Sequence, residues 1–188
     1  GLLGILPRKE KIPAAERGNS RANGYDRSTI AEAEAWLSQC HRLDELIDLV
    51  CESFSGVELE DGMGLRESNG VDDYAGTEEL KRLRAMDEKH DWRKIPAELL
   101  TQCNAAPSFL DEKGMRFHTP AFLVAELKGE YHQDFIGRLI DESYTACEFP
   151  SLFTTAQREA IIECIRFDGN FSREPDAINA AVSRFRGA

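Results

Sequence analysis

Apolar residues three and four positions apart recur along most of the chain, in separate runs that open on capping residues and close near glycine or proline. The longest run begins at Thr29, where Thr29 and Glu32 have capping-box spacing ahead of Trp36, Cys40, Leu43, Ile47, Val50 and Phe54. One apolar stripe on a long helix follows, buried along Trp36, Leu43, Ile47 and Val50 and ending near Ser55 and Gly56. A second run starts at Thr77, with two glutamates in its first turn and Leu80 and Leu83 on one face. Pro96 stands where a proline opens a helix, ahead of "AELL".

The stretch "SFLDEKGMRFHTPAFLVAEL", residues 108 to 127, reads as two pieces. Ser108 caps a short turn that Gly114 stops, residues 115 to 118 cross in extended form, and Thr119 with Pro120 starts a helix through Phe122, Leu123 and Leu127, closed by Gly129. Further on, Phe135, Leu139 and Ile140 share a helical face. Thr154 and Gln157 form a second capping-box pair before Ile161, Cys164 and Ile165, and Pro175 opens a last helix with Ile178, Val182 and Phe185 inward. Long alternating β-branched runs do not occur. The fold expected is mainly α: a single compact helical domain over residues 28–188, with at most one small β-hairpin, around 57–75 or 115–118. Residues 1–27, punctuated by Pro7, Pro13, Gly18 and Gly24, read as an irregular N-terminal arm.

Composition fits that picture. A chain of 188 residues with 41% hydrophobic content is long enough to bury one sizeable core. No apolar run approaches the ~20 residues that cross a bilayer, and nothing in "GLLGIL" directs export, so neither a membrane nor a secretory route is expected. The five cysteines, Cys40, Cys51, Cys103, Cys147 and Cys164, are odd in number and contain no CxxC pair, which points to free thiols in a reducing cytoplasm.

Charge changes the picture more. Residues 44–79 hold twelve carboxylates and a single arginine, Arg66, so this one stretch equals the net charge of the whole chain, −11. Such a surface repels phosphate backbones, so nucleic acid is not an expected partner; a basic protein is. Within the stretch, "GVELEDGMGLRESNGVDDYAG" (56 to 76) is dense in oxygen donors, yet Met63 and Leu65 sit where a calcium loop starting at Asp61 needs ligands. It reads as a solvated loop or small hairpin, and no metal or other cofactor is expected.

Catalytic templates are empty too. The chain has no HExxH, GxSxG, Walker A or GxGxxG pattern, and its four histidines, His41, His90, His118 and His132, bring no partner set. Adjacent acids such as Asp72 and Asp73 in a glycine-rich loop are ordinarily just hydrated. Arg116 and His118 alternate with Phe117, so on an extended segment Phe117 points inward while the two polar side chains face out together. There they either grip a carboxylate or, more simply, pair with a neighbouring helix acid and precede a cap.

The blocks "WRKIPAELL" (92 to 100), "SFLDEKGMRFHTPAFLVAEL" (108 to 127) and "FTTAQREAIIECI" (153 to 165) resemble those of a family of small, uncharacterised bacterial proteins known only as a domain of unknown function. That resemblance carries no catalytic residue over to this chain. The function expected is an acidic cytoplasmic protein-binding protein, in its sharpest form an immunity-type inhibitor that neutralises a basic bacterial toxin. Glu58, Glu60, Asp61, Glu67, Asp72 and Asp73, with Arg116 and His118, are its expected partner-binding residues. The alternatives are a generic interaction or housekeeping domain, or an enzyme using His118 or His132 with carboxylates.

Overall fold

The computed structural model describes residues 27–141 and 149–188. All but the last residue of the expected arm lies outside them, as does Cys147. The described chain forms eight α-helices joined by short turns: α1 (Arg27–Ser53), α2 (Leu65–Asp72), α3 (Thr77–Met86), α4 (Ala97–Gln102), α5 (Glu112–Leu127), α6 (Phe135–Ile140), α7 (Thr155–Ser172) and α8 (Pro175–Gly187). Among the described residues there is no strand. At most one hairpin is expected and none forms: residues 65–72 are α2 and residues 115–118 lie inside α5.

Three helices make the centre. α1 packs on α5 and α7, α8 lies on α7, and α6 bridges α5, α7 and α8. The buried line of α1 runs through Leu46 and Val50 to Phe54 just past its end, all without exposed surface, while Leu43 and Ile47 flank it half-buried. Trp36 is also only half-buried, and most of residues 28–35 face solvent. The helix starts at Arg27, two residues before the expected cap. The Trp92 indole N–H donates to the Phe54 carbonyl at 3.0 Å, which satisfies one of the orphan acceptors at the end of α1.

α5 corrects the two-piece reading of residues 108–127. Its cap is Asp111, whose Oδ1 accepts from the Gly114 N–H at 2.7 Å and from the Met63 N–H at 3.0 Å. Gly114 is therefore no helix stop: a Cβ there would lie 2.4 Å from the Met63 carbonyl oxygen, so the residue lets the 59–64 turn close on the helix. The helix then runs through Pro120. An interior proline removes one intrahelical bond and costs about 3 kcal/mol, but Phe117, Phe122 and Leu123 are all fully buried on this helix. Their burial is worth roughly 1.5–3 kcal/mol each, which outweighs the proline. Just before it, the Thr119 hydroxyl donates to the Met115 carbonyl at 2.8 Å and His118 Nδ1–H donates to the Gly114 carbonyl at 2.7 Å.

The remaining starts follow their local chemistry. Thr154 and Gln157 make the reciprocal capping box that the spacing predicts, and Ile161, Cys164 and Ile165 are buried behind it. α8 opens on Pro175 with Val182 and Phe185 buried and Ile178 half-buried. α6 follows α5 closely, held by Phe135 stacked on Phe122 with ring centroids 4.7 Å apart.

Candidate functional site

The acidic stretch splits into two parts once folded. The 59–64 turn lies beside the start of α5, and there Glu60 binds Lys113 at 2.8 Å and Arg116 at 2.6 Å, while Asp61 also pairs with Lys113. The hydrogen bond from Lys113 is the main cause that lowers the pKa of both Glu60 and Asp61, and it raises that of Lys113 in return. Glu67, on α2, binds Arg84 of α3 at 3.2 Å. Three of the six expected recognition carboxylates are therefore neutralised within the chain. The residues that neutralise Glu60 and Asp61 lie about fifty positions away, where charge counting along the sequence does not look.

Arg116 is thus an internal partner of Glu60, in line with the simpler of its two expected roles. His118 is a correction. Helical geometry turns it inward, where it is 1% exposed, edge-on to Phe117 and bonded to Gly114. Burial lowers its pKa to about 4 and keeps the ring neutral. Such a side chain offers no surface to a partner and does not face outward beside Arg116.

Glu58, Asp72 and Asp73 remain exposed. Glu58 stands 3.8 Å from His90, itself exposed. Asp73 accepts from the Asn69 amide at 2.9 Å across one turn. Asp72 and Asp73 close α2, and the chain reverses into α3 over Tyr74, Ala75 and Gly76. The reversal carries the bonds of a Schellman motif: Tyr74 N–H to the Val71 carbonyl at 3.1 Å and Ala75 N–H to the Gly70 carbonyl at 2.8 Å. The position that motif reserves for glycine holds Tyr74, at φ 56° and with 95% of its surface exposed. Glycine or asparagine is the usual occupant, since a side chain there is strained.

Beside this corner lies a hollow of about 390 Å³ lined in part by Arg66, Asn69, Asp73 and Glu79. Arg66 Nε is buried and has no hydrogen-bond partner among the described residues. The far wall of α2 is fixed by Asp87, whose carboxylate accepts from the Arg66 and Glu67 N–H groups at 2.9 and 3.2 Å. Burial raises the Asp87 pKa and those two bonds oppose the rise. Gly64 is obligatory for this cap, because a Cβ would fall 2.1 Å from the Asp87 carboxylate.

A cleft of about 970 Å³ opens between the end of α1, the Trp92–Lys94 turn, α4 and α5, and Gln102 lines both it and the hollow beside α2. Its wall includes Cys51, Ile95, Ala121 and Val124, and its charged and titratable groups are Arg93, Lys128, Glu98, Glu130 and His132. Of its lining, the sequence singled out only His132 as candidate chemistry; it stands exposed at the cleft, whereas the buried His118 ring, against Phe117 and bonded to Gly114, does not line it. The other members come from separate segments that no local pattern joins. A separate buried acid, Glu126, caps α6 by accepting from the Ile136 N–H at 2.9 Å. Burial raises its pKa to about 7 despite that bond, and the charges of Asp134 and Asp168 add to the rise.

Among the described residues no group of three or more His, Cys, Asp or Glu is placed to hold a metal ion, and no helix is long and apolar enough to cross a membrane. Fold and surface together define a small α-helical domain with an aromatic, acidic corner and a cleft. Residues 42–180 match the family of unknown function DUF6714, and the chain belongs to that family. No curated protein and no solved structure matches the chain.

Proposed function

We propose that this protein acts by stoichiometric binding to a basic protein, and that the corner between α2 and α3 is its recognition surface. The observation that carries the reading is Tyr74. An aromatic side chain that is 95% exposed, held at φ 56° where glycine is the relaxed choice, contributes nothing to the core. Strained residues persist where they serve a site, and tyrosine is enriched among the anchors that dominate protein interfaces. The flanking acids agree. Among the described residues no cation pairs with Asp72 or Asp73, and complementary charge of this kind steers encounter with lysines and arginines. In its most specific form the reading is an immunity-type inhibitor that covers the active site of a basic bacterial toxin in the cytoplasm.

Affinity capture with three proteins tests it: the parent, Tyr74→Gly, and the double variant Asp72→Asn/Asp73→Asn. A basic partner held by the parent should be lost by Tyr74→Gly. It should associate more slowly with the double variant, and the parent's association rate should fall as salt rises from tens to hundreds of millimolar. Equal retention by all three proteins would place the site elsewhere.

A further inference from the structure

We infer that the cleft between α1, α4 and α5 is a binding site for a small organic anion with an apolar body. The anionic group sits at Lys128 and Arg93, and the body lies against Ile95, Ala121 and Val124. The inference is independent of the corner at Tyr74.

The shape is the first argument. At about 970 Å³ the cleft falls at the upper end of the range of roughly 300–1,000 Å³ that small-molecule sites occupy, and its lining mixes apolar side chains such as Ile95, Ala121 and Val124 with charged and polar ones. Rigid elements build it. Val124 and Ala121 stand one turn apart on α5, and Ile95 follows the Trp92–Lys94 turn, which is fixed by Asp91 accepting from the Arg93 N–H at 3.2 Å.

The second argument is the state of the two cations. Arg42, Arg84, Lys113, Arg116 and Arg173 are among the basic side chains that pair with acids, whereas the Lys128 ammonium, like those of Lys89 and Lys94, has no hydrogen bond or ion pair among the described residues. Lys128 ends α5, and its position there is set by Gly129, which turns the chain at φ 69°. Among the described residues Arg93 bonds only through its Nε, at 2.8 Å from Asp91, and its guanidinium lies 5.8 Å from the Trp92 ring centroid. Its two terminal nitrogens remain available. A planar fork beside a point charge suits a carboxylate or sulfonate.

The third argument locates the positive end. Cys51 lies on the cleft wall, and burial raises its thiol pKa; the largest charge effects on it come from Lys128 and then Arg93, both opposing the rise, with Asp48 acting the other way. Both cations line the same cleft as the thiol. Glu98 and Glu130 line the cleft as well, so an anion is held only where Lys128 and Arg93 outweigh them. The charge of the ligand then lies towards Cys51 and its body along α5.

The probe is 8-anilinonaphthalene-1-sulfonate, an aromatic sulfonate, added to the full chain. Its fluorescence should saturate at one equivalent. At saturation, alkylation of Cys51 by N-ethylmaleimide, followed by peptide mass spectrometry, should slow at least about tenfold, since a residue covered nine-tenths of the time reacts only in the open remainder. Cys40, on the same helix but away from the cleft, is the internal reference and should alkylate unchanged. Lys128→Met, an exposed substitution that leaves the fold intact, should weaken the probe about tenfold, the size of one charge-assisted bond. Decanoate should displace the probe from the parent. The inference is overturned if the probe fails to saturate at one equivalent, if Cys51 is not protected relative to Cys40, or if Lys128→Met binds as the parent does.

Discussion

Tyr74 holds a place in the backbone that its side chain does not reward. An L-residue in the left-handed region costs roughly 1–2 kcal/mol, and a side chain 95% exposed recovers almost none of that through burial. Replacing Tyr74 with glycine should therefore raise the melting temperature, by a stability gain of a few tenths to about 1 kcal/mol once glycine's extra freedom in the unfolded chain is subtracted. Alanine makes the useful control, because it removes the ring but keeps the strain, and it should melt close to the parent. Thermal unfolding of both variants decides the matter: a drop for Tyr74→Gly would mean that the tyrosine packs against something and is not a spare aromatic. His118 shows the opposite case. Its chemistry looked available because an extended segment would have exposed it, and a helix of the same residues buries it instead.

Elements were legible in the sequence where spacing and caps agreed. The Thr154 capping box, the Pro175 start and the mainly helical class all followed from period and punctuation, which are local. What local pattern cannot supply is which of two apolar neighbours faces inward. On α1 the stripe was read along Ile47, yet Leu46 is the residue with no exposed surface and Ile47 is half-buried, because the seat is set by α5 and α7 packing from two sides. Leu46→Ala should accordingly lose about 2–5 kcal/mol through lost burial and a cavity, and Ile47→Ala distinctly less; urea unfolding of the pair measures both, and an equal loss would restore the original stripe. α5 failed for a related reason. Thr119 and Pro120 have the chemistry of a helix start, and only the burial of Phe117 on one side and Phe122 on the other, a tertiary fact, makes the helix continuous. The corner at Tyr74 was half legible: its two aspartates were picked out, whereas the αL conformation between two short helices was hidden by reading residues 56–76 as one loop. Of the cleft only His132 was picked out as candidate chemistry, since the site exists only where separate segments meet.

At the scale of the whole molecule, two buried titratable groups pull stability in opposite directions as pH changes. His118 is held near a pKa of about 4 against 6.5 for an ordinary imidazole, so the unfolded chain takes up its proton first; this contribution is fully present above about 6.5 and is lost as pH falls through about 4. Glu126 is raised to about 7 from 4.5, so the unfolded chain loses its proton first; that contribution is present below about 4.5 and is lost as pH rises through about 7. Between about 4.5 and 6.5 the two slopes oppose each other, and their sum is nearly flat. Glu126→Gln removes one slope while keeping an amide oxygen to accept from the Ile136 N–H. Relative to the parent, the variant should gain stability steadily from pH 4.5 to pH 7, by as much as roughly 3 kcal/mol for a displacement of this size. Its own stability should then fall as pH drops from 6.5 towards 4, with the His118 slope no longer offset by Glu126. Urea midpoints of parent and variant at pH 4.5, 5.5, 6.5 and 7.5 provide the measurement. A constant difference between the two across that range would show that Glu126 titrates normally in the fold, and that the carboxylate holding α6 reaches more water than its 4% exposure implies.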